Sequence, residues 1–200
     1  MTGAQLYQLF YGSNSLNHKL FLAVNHSALP FLDFVMPGIT FLGGSLLVYP
    51  YLLLLAILYA LDKRFMPVRY LAVYAAATIL SLGVEALLKD YFHVPRPTAA
   101  IGLESVRVLG HVSKSFSLPS GHAVFSFMTA FVLGYGRSLR WKAPLYTCAV
   151  LVAWSRIYVG AHYPLDVAVG GGVGAVCGLM VWKIWEAGER FIAYRRNGLE

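Results

Sequence analysis

Five stretches of this chain are apolar for most of the length a helix needs to cross a bilayer, and that restricts the fold more than any other feature. They lie at about residues 41–61, 70–88, 121–136, 143–159 and 163–182. A spanning helix takes roughly 20 mainly apolar residues. In hydrocarbon every backbone amide must be satisfied within the chain, so helices and closed barrels are the only solutions. The runs are continuous rather than alternating, which selects helices. The expected fold is all-α: a polytopic membrane helix bundle of five to six transmembrane helices plus an N-terminal interfacial helix. Residues 16–35 supply that interfacial helix, because Asn17, His18, Lys19, Asn25, His26, Pro30 and Asp33 break the apolar pattern. A sixth span there is the alternative. One domain is expected over residues 1–200, with an interfacial segment at 1–40 and a transmembrane core at 41–186.

Composition excludes several other classes. The chain is 58% hydrophobic and 12% charged, against about 45–50% and about 25% in soluble domains. The net charge of +7 contains no long basic run for nucleic acid. Cys148 and Cys177 sit in apolar stretches and read as core residues, and no Cys/His spacing suggests zinc. No cleavable leader is expected at the N-terminus. Lys63, Arg64 and Arg69, then Arg137, Arg140 and Lys142, then Arg190, Arg195 and Arg196 mark three regions on one side. The positive-inside rule makes that side the cytoplasm. The expected location is a bacterial-type inner membrane, crossed several times, with the C-terminus cytoplasmic and the 89–118 connection facing the periplasm or outside.

That orientation gathers the ionisable residues. Lys89 closes the second span, Ser120-Gly121-His122 opens the third, Arg156 lies near the end of the fourth, and His162 and Asp166 open the fifth. Alternating helices bring all these tips, with Arg96, to one face. Such residues are costly in a membrane and mark function. Lys89, Arg96 and Arg156 are cations suited to phosphate oxygens. Ser120 and Gly121 at a helix N-terminus add backbone donors for an anion. Asp166 can take the His162 Nδ1 proton and leave Nε2 to attack phosphorus, while His122 protonates the leaving oxygen. The residues alone leave the two histidine roles exchangeable; Asp166 favours His162 as nucleophile. Glu85, four residues before Lys89, either orients Lys89 or neutralises it. Arg107 and Lys114 are weaker candidates for headgroup contact. His93 and His111 read as solvated loop histidines, and His18 and His26 as polar-face residues.

Three motifs then carry a resemblance. Lys89 followed after six residues by Arg96-Pro97, then Pro119-Ser120-Gly121-His122, then Ser155-Arg156, five residues, His162, three residues and Asp166 match the pattern of the type-2 phosphatidic acid phosphatase superfamily. The chain resembles that family of membrane lipid phosphatases over residues 89–166 directly. The resemblance implies His162 as nucleophile, Asp166 as its partner, His122 as general acid, and Lys89, Arg96, Ser120, Gly121 and Arg156 as phosphate ligands. It implies no metal and no cofactor. Expected partners are a phospholipid or polyprenyl phosphate and membrane lipids, without nucleic acid and without a required oligomer. The expected reaction is hydrolysis of a phosphomonoester or pyrophosphate, on undecaprenyl pyrophosphate, phosphatidylglycerophosphate or a similar lipid. The alternatives are phosphate transfer to another lipid such as lipid A, or an inactive transporter or scaffold.

Overall fold

The computed structural model describes residues 3–111 and 114–197. Among them the chain is helical, with no strand: α1 (Gly3–Tyr11), α2 (Leu16–Asn25), α3 (Pro30–Phe41), α4 (Val48–Leu61), α5 (Val68–Phe92), α6 (Pro97–Ile101), α7 (Gly121–Gly134), α8 (Leu139–Tyr158) and α9 (Pro164–Asn197). Short 3₁₀ turns occupy Ser45–Leu47 and Leu103–Ser105.

α7 is the axis of the bundle, packed against α9, α8 and α5. Small residues permit the closest of these approaches. A Cβ on Gly174 of α9 would collide with the carbonyl of Val124, and one on Gly170 would lie 2.6 Å from the carbonyl of Ser120. Gly170, Gly174 and Gly178 recur every four residues, so one stripe of α9 lies against α7 over more than two turns. One apolar core lies around Val73, Tyr74, Ala77, Met128 and Val132, deep between α5 and α7. Another surrounds Phe21, Ala123, Ile157 and Tyr163, near the tips that carry the motifs.

Several helix ends follow from local chemistry. α5 stops at His93, which takes a left-handed conformation (φ 48°) just before Val94-Pro95, a dipeptide that cannot continue a helix. α3, α6 and α9 begin at Pro30, Pro97 and Pro164, whose missing amide costs nothing in a first turn. At the opposite end of the bundle, Arg64, Arg69 and Arg137 line one cleft between the α4–α5 and α7–α8 connections. Arg137 donates to the carbonyl of Phe65, which ties those basic connections together.

Several expectations need correction. The first span does not run unbroken over 41–61: α3 ends at Phe41, and a break at Gly43-Gly44 precedes α4. Gly43 passes so close to Val152 and Ser126 that a side chain there would clash. α9 runs well past residue 182, to Asn197. Among the described residues, two helical runs are long and apolar enough to cross a membrane, Val68–Ile101 and Pro164–Asn197. Residues 16–35 do not form one interfacial helix: Tyr7–Asn25 and Pro30–Phe41 meet at a 114° bend, and together they could supply one more span, the alternative expected there. Leu16, Leu20, Phe31 and Phe34 are exposed along it, as expected of a surface against lipid. His18 is buried, not on a polar face, and Cys148 is exposed while Cys177 is buried.

Because Gly174 meets backbone rather than a flexible side chain, Gly174→Ala is expected to destabilise the bundle by about 1–3 kcal/mol. Thermal unfolding in detergent should show a melting point several degrees lower.

Candidate active site

Lys89 lies in the last turn of α5 and Arg156 in the last turn of α8. Arg96 precedes α6, Ser120 is the N-cap of α7, and His122 is in the first turn of α7. His162 lies between α8 and α9, and Asp166 in the first turn of α9. Lys89, Arg96, Gly121, His122, Arg156 and His162 all line one cavity of about 280 Å³. Ser120 and Asp166 are fully buried beside it, and the Ser120 amide donates to the Asp166 carbonyl at 3.0 Å. Glu85 also lines the cavity, and its carboxylate bonds Lys89 Nζ at 2.6 Å. That carboxylate rests on Gly121, where any Cβ would overlap it. The sequence-derived residues therefore converge. Arg96, His122 and Arg156 also face a second cavity of about 370 Å³, so they form the wall between two chambers.

The His162 ring is 1% exposed, and both its nitrogens are engaged. Arg96 Nη1 lies 3.1 Å from Nε2. A guanidinium has only donors, so Nε2 must carry the lone pair and Nδ1 the hydrogen. Nδ1 lies 3.2 Å from Ser117 Oγ and 3.5 Å from Asp166 Oδ2. Ser117 Oγ in turn donates to Asp166 Oδ2 at 2.5 Å. Ser117 thus stands between imidazole and carboxylate, and the His162–Asp166 link runs largely through it. Burial pushes the His162 pKa down to about 4, although Asp166 pulls it up, because desolvation of the charged form outweighs the carboxylate.

Asp166 also has a local role. Its Oδ2 accepts from the Tyr163 amide at 2.8 Å, so the side chain reaches back across the first turn of α9 in the manner of a capping box. Arg96 is held from the other side: Nε donates to the Ser115 carbonyl at 2.8 Å, Nη2 to Ser115 Oγ at 2.8 Å, and Nη1 to the Ala161 carbonyl at 3.0 Å. Ser120, expected as a cap, occupies the cap position but makes no capping bond, and its buried Oγ is unpaired. Arg156 Nη1 bonds Thr40 Oγ1 at 2.8 Å, while its buried Nε is unpaired. Unpaired buried donors are costly, and an oxyanion in the cavity would satisfy them. Among the described residues, no cluster of three or more His, Cys, Asp or Glu is placed to hold a metal ion.

Sequence reasoning missed Ser117, Ser115, Thr40 and Tyr11. Ser117 stands three residues before Ser120, a proximity that is the one available signal. Tyr11 Oη donates to Asp166 Oδ1 at 2.8 Å from 155 residues away, and nothing local announces it. Arg107, a weak candidate for headgroup contact, is committed elsewhere: it bonds Asp33 Oδ1 at 2.6 Å and the Asn25 carbonyl at 3.0 Å. It clamps the α2–α3 bend to the connection between α6 and α7. His93 packs edge-on to Phe116, and His111 is exposed at the rim of the second cavity.

Residues 69–190 match the model of the PAP2 superfamily. The chain belongs to that superfamily. It is 31% identical over 173 residues to phosphatidylglycerophosphatase B of Bacillus subtilis, covering 81% of this chain and 79% of that one. It is 33% identical over 101 residues to a lipid A 1-phosphatase of Rhizobium johnstonii, covering 50% of this chain and 38% of that one. The chain spans about half, or less, of the length of several curated relatives it matches. Among solved structures it resembles Aquifex aeolicus LpxE, with a TM-score of 0.75, 34% identity, and coverage of 84% of this chain and 96% of that one. The chain is a membrane protein of this family, with apolar helices to match.

Lysine retains the charge of Arg96 but not its fork. Arg96→Lys is expected to weaken inorganic vanadate or phosphate binding by roughly tenfold or more, measured by calorimetry on detergent-solubilised protein.

Proposed function

We propose that this chain is an integral membrane lipid phosphatase that works through a phosphohistidine on His162 and requires no metal. One observation carries the reading: a buried imidazole whose Nε2 bears its lone pair toward Arg96, in a cavity it shares with Lys89, Arg156 and the N-terminus of α7. The phosphoryl group of a lipid would take the place between these donors. Its oxygens would engage Lys89, Arg96, Arg156, Ser120 and the first amides of α7, where charge develops in the transition state. Arg96 would turn from Nε2 to a phosphate oxygen and free the lone pair.

Nε2 then attacks phosphorus, and the phosphorus–oxygen bond to the lipid breaks. His122 gives its proton to the leaving oxygen. Asp166, through Ser117, holds the Nδ1 proton and balances the charge of the substituted imidazole. In the second half a water attacks phosphorus, His122 takes its proton, the phosphorus–nitrogen bond breaks, and inorganic phosphate departs. A neutral His122 must be protonated before the first half, and it regains that proton in the second. The cations perform the charge neutralisation that metals perform in other phosphoryl transfers.

The lower cavity wall is apolar, with Leu82, Val124, Phe125 and Met128, and suits the start of a lipid tail. The relatives' names put phosphatidylglycerophosphate, lipid A and undecaprenyl diphosphate among the substrates to test. The basic connections at the end of the bundle opposite the site favour an inner-membrane orientation with the site facing the periplasm or outside and the C-terminus cytoplasmic.

A phosphate-release assay across undecaprenyl pyrophosphate, phosphatidylglycerophosphate, phosphatidic acid and lipid A, with chelator present, tests the reading. Release from at least one lipid, lost by at least about a thousandfold in His162→Ala, is the expected result. Chelator-sensitive turnover would contradict the metal-free route, and label recovered on an added acceptor lipid would identify a transferase. With the His162 pKa pushed down to about 4, the nucleophile stays neutral through mild acid. The acid limb of kcat/KM attributable to His162 should therefore fall near pH 4, not near the ordinary histidine value of about 6.5.

A further inference from the structure

We propose that Tyr11, on the N-terminal helix α1, is a positioning residue for the His162–Asp166 pair, so that the N-terminal segment completes the reaction centre in addition to covering the bundle. The inference rests on the phosphohistidine reading above. It concerns a part of the chain that lies outside the residues, 69–190, matched by the family model.

A buried carboxylate requires donors. Asp166 is 0% exposed. A charge so placed must be met by donors, and each oxygen can accept more than one. Oδ2 receives Ser117 Oγ and the Tyr163 amide, with His162 Nδ1 at 3.5 Å. Oδ1 receives the Tyr11 hydroxyl at 2.8 Å. The two oxygens divide the work: one faces the imidazole, and the other is held by α1. Without a donor on Oδ1 the carboxylate is free to turn about its terminal torsion, which is intrinsically soft. Rotation would carry Oδ2 off the His162 side.

Tyr11 is itself well fixed. It is 6% exposed, its ring meets Tyr163 edge-on at 5.4 Å between centroids, and it stacks on Tyr7 at 5.5 Å. Asn17, at the start of α2, accepts from the Leu165 amide at 2.8 Å, a second tie between the N-terminal segment and the first turn of α9. A residue that served packing alone would need the ring but not the aimed hydroxyl.

The sign of the pH effect follows from the groups around the pair. His162 is faced by Arg96, by His122 of α7, by Arg156 of α8 and by Asp166 of α9. Asp166 is faced by Tyr11 and Tyr7 of α1 and by Tyr163, against whose ring His18 of α2 lies. Removing the Tyr11 hydroxyl frees Oδ1 and lets Oδ2 turn off the imidazole. The protonated imidazole then loses the carboxylate that stabilises it, so the His162 titration moves downward.

Tyr11→Phe keeps the ring and removes the hydroxyl. Expected are a kcat about tenfold lower, a KM within about twofold of the parent, and an acid limb of kcat/KM lowered by about half a pH unit or more. Tyr7→Phe, which removes a hydroxyl that makes no bond to Asp166, should match the parent. Folding is read separately by melting temperature and by retention of vanadate binding. The His162 titration, followed by NMR on histidine-labelled protein and assigned with His162→Gln, gives a readout that needs no turnover. A lowered midpoint in Tyr11→Phe supports the proposal even if the parent releases phosphate from no lipid tried, an outcome that would overturn only the phosphatase reading. An unmoved or raised midpoint overturns it, as does a loss of kcat that merely tracks a lower melting temperature with the limb in place.

Discussion

Asp166 is the interaction on which the rest of the site depends. Its backbone carbonyl accepts the amide that opens α7, and its side chain caps α9. The same carboxylate gathers Ser117 from the connection before α7, Tyr11 from the N-terminal segment and, partly through Ser117, His162. Four separate parts of the chain are fixed by one buried anion. Burying such a charge is expensive unless several strong hydrogen bonds compensate it. Here the compensation is also the scaffold of the buried His162 imidazole.

The close α7–α9 contact serves the same end. With glycines at 170, 174 and 178, α9 approaches the backbone of α7 directly, and the first turns of both helices meet at a fixed height. The Ser120 amide can then reach the Asp166 carbonyl, and the N-terminus of α7 points into the cavity that His162 borders. Packing far down the bundle therefore sets geometry at its tip.

Much of this was legible in the sequence because it is written in short-range signals. Lys89 to Pro97, Pro119 to His122 and Ser155 to Asp166 each contain their own helix start or stop, and alternation of apolar runs brings them to one face. The all-helical character followed from the same runs. What was not legible is long-range or sterically conditional. The break at Gly43-Gly44 depends on how close α7 and α8 pass, which no local pattern reports. The bend between α2 and α3 is stabilised by Arg107, Asn25 and Asp33, whose pairing joins residues more than seventy positions apart. Tyr11 carries no local signal, because its partner lies at the other end of the chain. Ser117 is hidden for another reason: the four-residue spacing of His162 and Asp166 points to a direct contact and gives no sign of a residue between them.

The bond between Arg96 and the His162 lone pair does more than hold the ring. A guanidinium that donates to Nε2 occupies the electron pair any electrophile would need. On the proposed mechanism the group that engages the phosphate is the same one that covers the nucleophile, so binding and unmasking become a single event. An uncharged alkylating or acylating molecule, unable to draw Arg96 aside, would then meet a histidine whose lone pair is already taken.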